Sequence, residues 1–171
     1  MRHTRCPDPV SEDERPGSWT EQAMEAGFDD AWHAEWWRQM EESGGNIIAG
    51  FRMRIVKITD KRVVMSMPFG PNLRQGTGVF AAGALIQLAD VAATIVCSNY
   101  LRETSGETDV PFPLSVQISS NLLRNTDRGT VTTETMLLHG GRSMMVAEST
   151  VKDDAGRILA VVTSTHLAIQ R

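Results

Sequence analysis

Residues 76–94 read GTGVFAAGALIQLADVAAT, an almost unbroken apolar run that holds a single carboxylate, Asp90. A helix apolar nearly all round must be enclosed by other elements. Gln87 and Asp90 within the run mark it as a buried core helix, expected over roughly residues 80–100, and not a membrane span. An unpaired buried carboxylate costs several kcal/mol or takes up a proton. The fold must therefore wrap this helix and also give Asp90 something to face.

The flanking sequence supplies the wrapping. From Ile47, IIAGFRMRIVKITDKRVVMSMP reads as two strands around a tight turn at Thr59-Asp60-Lys61. The loop FGPNLRQGTG leads into the helix. Four strand-like segments follow it. Leu114, Val116, Ile118 and Leu122 alternate in the first; GTVTTETMLLH, RSMMVAESTV and RILAVVTSTHLAI are the others. Gly140-Gly141 and Asp153-Asp154-Ala155-Gly156 are their hairpin turns. Consecutive hairpins require antiparallel pairing, so the class is α+β: a curved antiparallel sheet around one helix.

The N-terminal part divides in two. Residues 1–17, with Pro7, Pro9 and Pro16 among charges, form an arm. Residues 18–44 form a helical segment, opened by the capping box Ser18-Trp19-Thr20-Glu21 and closed by Gly44-Gly45. Phe28, Trp32, Trp36 and Met40 recur every four residues there as one apolar stripe. The Trp32, Trp36 and Trp37 cluster either packs or lids a pocket. Residues 45–171 are then the main domain.

Charge and cysteines narrow the class. A net charge of -4 without a basic block argues against nucleic acid and anionic membranes. The first residues lack the apolar stretch of a secretory signal. Cys6 and Cys97 form neither a disulfide framework nor a metal spacing, which fits a reducing, cytoplasmic setting. His3, His33 and His166 have no partners at metal-ligand spacing, so no metal is expected and they read as surface or satisfied histidines. Cys97 reads as a small buried hydrophobe.

On the long helix Gly83, Gln87, Asp90, Thr94 and Ser98 are spaced four, three, four and four, so they share one face. This narrow polar stripe meets water, a ligand or another helix. At the helix start, Gly-Thr-Gly-Val-Phe-Ala-Ala-Gly leaves the first backbone N–H groups uncrowded and without helical acceptors. The helix dipole adds partial positive charge there, as an oxyanion site needs. A carboxylate and an amide-lined anion hole are the two parts that acyl hydrolysis requires.

Ala82 and Asp90 are eight residues apart, about 12 Å along a helix. One helix cannot bring both to one carbonyl. Two antiparallel copies can, with Asp90 of one chain against the Ala82 amide of the other. An acyl hydrolase built this way is a homodimer with two composite sites.

Asn72 to Asp90, with FPLSVQISSNLLRN and GRSMMVAESTVKDDAGRILAVVTSTHLAI, resembles the hotdog-fold acyl-CoA thioesterases of the phenylacetate-pathway (PaaI-like) type. The resemblance spans roughly residues 45–169. It implies a sheet wrapped around the helix, dimers or dimers of dimers, and acyl-CoA as substrate with no cofactor. Asp90 would be nucleophile or general base, with the Ala82 amide, helped by Gly83, as oxyanion hole. Gln75 would place substrate or water, and Thr94 matches a hydroxyl residue one turn after the acid. Many relatives read His-Gly-Gly at the helix start, where this chain has Ala81-Ala82-Gly83. The missing imidazole keeps a second reading open, an acyl-CoA-binding protein without turnover. A hydratase of the same fold ranks last, because its chemistry usually needs a His near the acid and this helix has none.

Asn72, Arg124, His139, Gly141 and Arg142 are candidate CoA contacts. Arg142 and Arg124 suit a phosphate and His139 an adenine ring. Equally, 139–142 is an ordinary surface turn. Met144 and Met145 line core or pocket.

Overall fold

The computed structural model describes residues 46–107 and 109–169. The N-terminal arm, the helical segment at 18–44, the tryptophan cluster, Cys6, His3 and His33 lie outside the described residues.

The described residues open with one helical turn, α1 (Ile47–Gly50), whose N-cap Asn46 accepts from the amides of Ile48 and Ala49. The expected strand from Ile47 therefore starts later. Asn46 binds two orphan amides, so the next residues coil before they extend. β1 (Arg54–Thr59) and β2 (Arg62–Pro68) then pair as the expected hairpin. A short 3-10 turn, Pro71–Leu73, leads to the long helix α2 (Ala82–Ser105). β3 (Pro113–Leu122), β4 (Thr130–Gly140), β5 (Met144–Lys152) and β6 (Ile158–Ala168) complete the fold.

α2 runs past the expected end, through Arg102–Ser105, and stops at Gly106 in the left-handed region, φ 70°. That conformation favours glycine and closes the last turn. The hairpin turns fall where the sequence placed them. At the second, Asp153 Oδ1 accepts from the amides of Ala155 and Arg157, and Gly156 has φ 75°.

The six strands form one curved antiparallel sheet, ordered β1-β2-β4-β5-β6-β3, with α2 packed on its concave side. Alternate residues fill the space between them. Val63, Met65 and Met67 of β2, Val131 of β4, Met145, Ala147 and Val151 of β5, and Val162 of β6 face Leu85, Leu88, Ala92 and Val96 of the helix. α2 has the length and composition to cross a bilayer, but 67% of that apolar stretch is buried inside the protein. This is the α+β hotdog architecture, with the helix enclosed on one side by its sheet.

Hydrogen bonds fix the helix against the sheet. Thr135 donates to Ser149, whose own hydroxyl donates to the carbonyl of Ala89, the residue before Asp90. Further along, Asn99 donates to the Thr59 carbonyl and Tyr100 to that of Gly140. The Tyr100 ring lies so close to Gly140 that an added Cβ there would meet it at 2.4 Å. These bonds set the rotation of α2, and hence the direction of its polar stripe.

The register of β3 differs from the expected alternation. A β-bulge falls between Ser115 and Gln117, leaving Val116 as the extra residue. Ser115 pairs with buried His166, Ile118 with buried Ser164 and Leu122 with buried Ala160, so these face the helix side. Leu114 instead pairs with Leu167 on the convex face. The extra residue inverts the parity, so Leu114, Val116, Ile118 and Leu122 do not share one face.

Candidate active site

The stripe on α2 meets a cavity. Gln87, Asp90, Val91 and Thr94 line it from the helix, Ile47 and Ile48 from α1, and Phe112, Pro113 and Ser115 from the entry to β3. Its volume is about 300 Å³. The walls are mostly apolar and the polar groups converge on one side, the usual make-up of a small-ligand site. Two larger hollows, about 700 and 490 Å³, lie along 109–112 and among the turns at 125–128 and 153–157. Neither contains Asp90. The second is lined by the Arg128–Asp127 and Arg157–Asp153 ion pairs.

Asp90 is half-buried. Its Oδ1 accepts a 2.6 Å hydrogen bond from the Ser115 hydroxyl, while Oδ2 has no hydrogen-bond partner among the described residues. A carboxylate held at one oxygen and open at the other is oriented for proton uptake or attack at the open one. The bulge at Val116 matters here because it holds Ser115 on the helix side while the rest of β3 shifts parity.

Behind Ser115 stands His166, fully buried on β6. Its Nδ1 is 3.3 Å from Ser115 Oγ and its Nε2 is 2.9 Å from Ser164 Oγ. Burial pushes the imidazole below the ordinary histidine value, while the charge of Asp90 and a hydrogen bond to the Pro113 backbone pull it back up. His166 is thus a satisfied histidine, as the sequence suggested, but it shares Ser115 with Asp90, the carboxylate of the polar stripe. Ser115 was not singled out in the sequence. The available signal was parity: Ser164 and His166 occupy the inward positions of β6, where apolar residues are the rule.

The other expected site residues fall into separate places. At the helix start, Ala81 is the N-cap, with φ −65° and ψ 136°, and offers no side-chain cap. Its amide is bonded to the Leu73 carbonyl, whereas those of Ala82 and Gly83 have no acceptor among the described residues. A Cβ at Gly83 would meet nothing within 4 Å, so the approach to these amides is open. Gln75 lies in the preceding loop, its side-chain amide donating to Thr77. Asn72 is exposed in the 3-10 turn. Arg124 is exposed and reaches the Ile158 carbonyl at 3.4 Å. These residues gather toward the N-terminal end of α2, because Phe80 is bonded to both Asn125 and Thr126. His139, Gly141 and Arg142 lie at the β4–β5 hairpin, beside Tyr100 in the C-terminal half of α2.

The candidate residues along α2 therefore fall into two groups, here called half-sites. One holds Asp90, Thr94, Gln87 and Ser115; the other holds the open amides of Ala82 and Gly83 with Gln75. No group of three or more His, Cys, Asp or Glu side chains that could hold a metal occurs among the described residues. The Cys97 thiol is buried and pushed up to about 12 by desolvation, so it is inert.

Residues 77–160, which hold both half-sites apart from Gln75, match the thioesterase superfamily. A "Putative esterase" of Deinococcus radiodurans is 31% identical over 121 residues, 71% of this chain and 72% of that protein. The chain belongs to the thioesterase superfamily. Membership assigns the reaction class, hydrolysis of a thioester. A thioesterase from Staphylococcus aureus, solved as a mutant, superposes with a TM-score of 0.66 at 26% identity, covering 73% of this chain and 98% of that one. The PaaI protein from the phenylacetic acid degradation operon of Escherichia coli shares the fold, with a TM-score of 0.66 at 15% identity over 90% of this chain and 97% of its own.

Proposed function

We propose that this thioesterase-superfamily protein hydrolyses acyl-CoA thioesters in composite sites across a homodimer. The observation that carries the reading is the pair of half-sites on one helix. Asp90 stands eight residues beyond the open Ala82 amide, about 12 Å along the axis. A thioester carbonyl is too small to touch both in one chain. Two helices running antiparallel about a twofold axis put Asp90 of one protomer beside the Ala82 amide of its partner, twice.

In this scheme the acyl group enters the cavity lined by Ile47, Ile48, Val91 and Phe112. The partner's Ala82 and Gly83 amides bind the carbonyl oxygen and stabilise the negative charge that grows on it. Asp90 Oδ2 takes a proton from water as the water attacks, or attacks directly and is released by water afterwards. The C–S bond breaks, CoA leaves as thiolate and takes up a proton, and the acid is freed. Gln75 and Thr94 orient water or the leaving sulfur. Asn72, Arg124, His139, Gly141 and Arg142 are the candidate contacts for the CoA nucleotide. The reaction needs no cofactor, and its setting is the cytoplasm.

The test is thiol release from a panel of acyl- and aryl-CoAs. The wild-type protein should turn over at least one of them, and Asp90→Asn should lower kcat by about a hundredfold or more. Equal rates for the two proteins would defeat the catalytic role of Asp90. One feature favours a second reading: Ala81 stands where many relatives carry a histidine. Saturable acyl-CoA binding with no turnover of any substrate by the wild type would select it.

A further inference from the structure

Behind the reacting carboxylate lies a polar chain, Asp90–Ser115–His166–Ser164, of which the scheme above uses only the first member. It runs from the cavity into the space between helix and sheet, ending on two side chains almost wholly buried: His166 is 0% exposed and Ser164 2%. Burying a titratable ring and a hydroxyl under the core helix is costly unless each hydrogen bond is made. Here each is made, and the order of donors is fixed by counting hydrogens.

Ser115 has one hydroxyl hydrogen, and at 2.6 Å it goes to Asp90 Oδ1, which can only accept. Toward His166 the Ser115 oxygen can then only accept, so Nδ1 at 3.3 Å must carry the hydrogen. A neutral imidazole with hydrogen on Nδ1 has a bare Nε2, so Ser164 at 2.9 Å donates to it. The groups facing the ring are thus Asp90 from α2, Ser115 and Pro113 from β3, Ser164 from β6 itself, and Met145, its pair on β5. In the opposite tautomer Nδ1 would be a bare acceptor. It would then compete with Asp90 for the one Ser115 hydrogen, and Asp90 would be free to turn.

We propose that His166 and Ser164 are positioning residues for thioester hydrolysis: they hold the imidazole in the Nδ1–H tautomer, which commits the Ser115 hydroxyl to Asp90 Oδ1 and leaves Oδ2 to react. The inference rests on Asp90 acting on the thioester or on water. It predicts an effect on turnover and little on substrate binding, because neither His166 nor Ser164 lines the cavity.

The experiment is a mutant cycle on the full chain, read as thiol release from the best substrate of the panel. His166→Leu should lower kcat by about tenfold, the scale of one hydrogen bond to a charged group lost in its orienting role, with KM within about twofold. His166→Asn keeps an N–H near the Nδ1 position and should recover most of the loss. In a Ser115→Ala background, His166→Leu should have no further effect, since the residue through which it acts is gone. Full kcat in His166→Leu would overturn the proposal. So would an undiminished loss in the Ser115→Ala background, or His166→Asn as slow as His166→Leu. Nitrogen-15 NMR of the wild-type imidazole gives a readout that does not depend on any variant folding. Protonated Nδ1 with bare Nε2 supports the relay, and the reverse tautomer overturns it. If Asp90→Asn is slow while His166→Leu is fast, only the relay fails. If Asp90→Asn is as fast as wild type, the reading of Asp90 fails first.

Discussion

The sheet has two edges, and they are built differently. β1 is six residues long and carries Arg54 and Lys57. β3 is ten residues long, has no charged side chain, and exposes Leu114 (41%), Val116 (53%), Ile118 (41%) and Leu122 (46%). Both are bulged at a valine, Val56 in β1 and Val116 in β3. On β1 the bulge and the basic residues blunt an edge that would otherwise recruit another strand. On β3 the bulge turns Ser115 toward Asp90, and nothing guards the rest. One edge is closed to association and the other invites it. The inviting edge lies next to Asp90 and Ser115, the group for which a partner subunit is proposed.

Charge should separate the two edges most clearly. A lysine at the exposed Val116 should leave the protomer folded, disrupt the dimer and abolish thioester hydrolysis. The same change at Val56, also exposed, should do none of these things. Sedimentation and thiol release on the two variants would check both halves, and a monomeric, fully active Val116→Lys would refute the shared site. A smaller effect is expected from removing the guard. Lys57→Ile should raise concentration-dependent self-association beyond the dimer by light scattering, with kcat unchanged.

The smallest effect concerns the histidine beneath the β3 edge. His166 is held below its ordinary value of 6.5, first by burial, against the opposing pull of Asp90 and Pro113. The unfolded chain then binds the proton more readily than the folded one. The stability that neutral His166 contributes is therefore present above about pH 6.5 and lost as pH falls toward the lower folded value. Denaturant melts from pH 8 to 5 should show that loss, and His166→Asn should flatten it. An unchanged slope in the variant would assign the acid sensitivity elsewhere.

What could be read from the sequence, and what could not, divides along physical lines. The α2 helix, the hairpins and the stripe Gln87, Asp90, Thr94 were legible, because periodicity and turn chemistry are local. So was the separation of Asp90 from Ala82, since helix rise is a constant. The strand expected from Ile47 was lost to a single capping side chain, Asn46. The face assignment of β3 failed at Val116, because a bulge depends on the register of the neighbouring strand and leaves little mark in a lone segment. Ser115 escaped notice, and the pairing of His166 with it was not foreseen, for the same reason. They are 51 residues apart and become a pair only when β3 lies beside β6.

The central claim, that each site takes its acid from one protomer and its amides from the other, has a direct test in subunit complementation. Asp90→Asn removes the acid. Ala82→Pro removes the amide hydrogen at the first helical position, where proline is well tolerated and Ala81 already has the extended ψ it requires. Each homodimer alone should be slowed a hundredfold or so. Unfolded and refolded together in equal amounts, they should regain about a quarter of the wild-type rate, because half of the dimers are mixed and each mixed dimer has one intact site. Recovery to that level is the result this account predicts; a mixture no faster than either parent would contradict it.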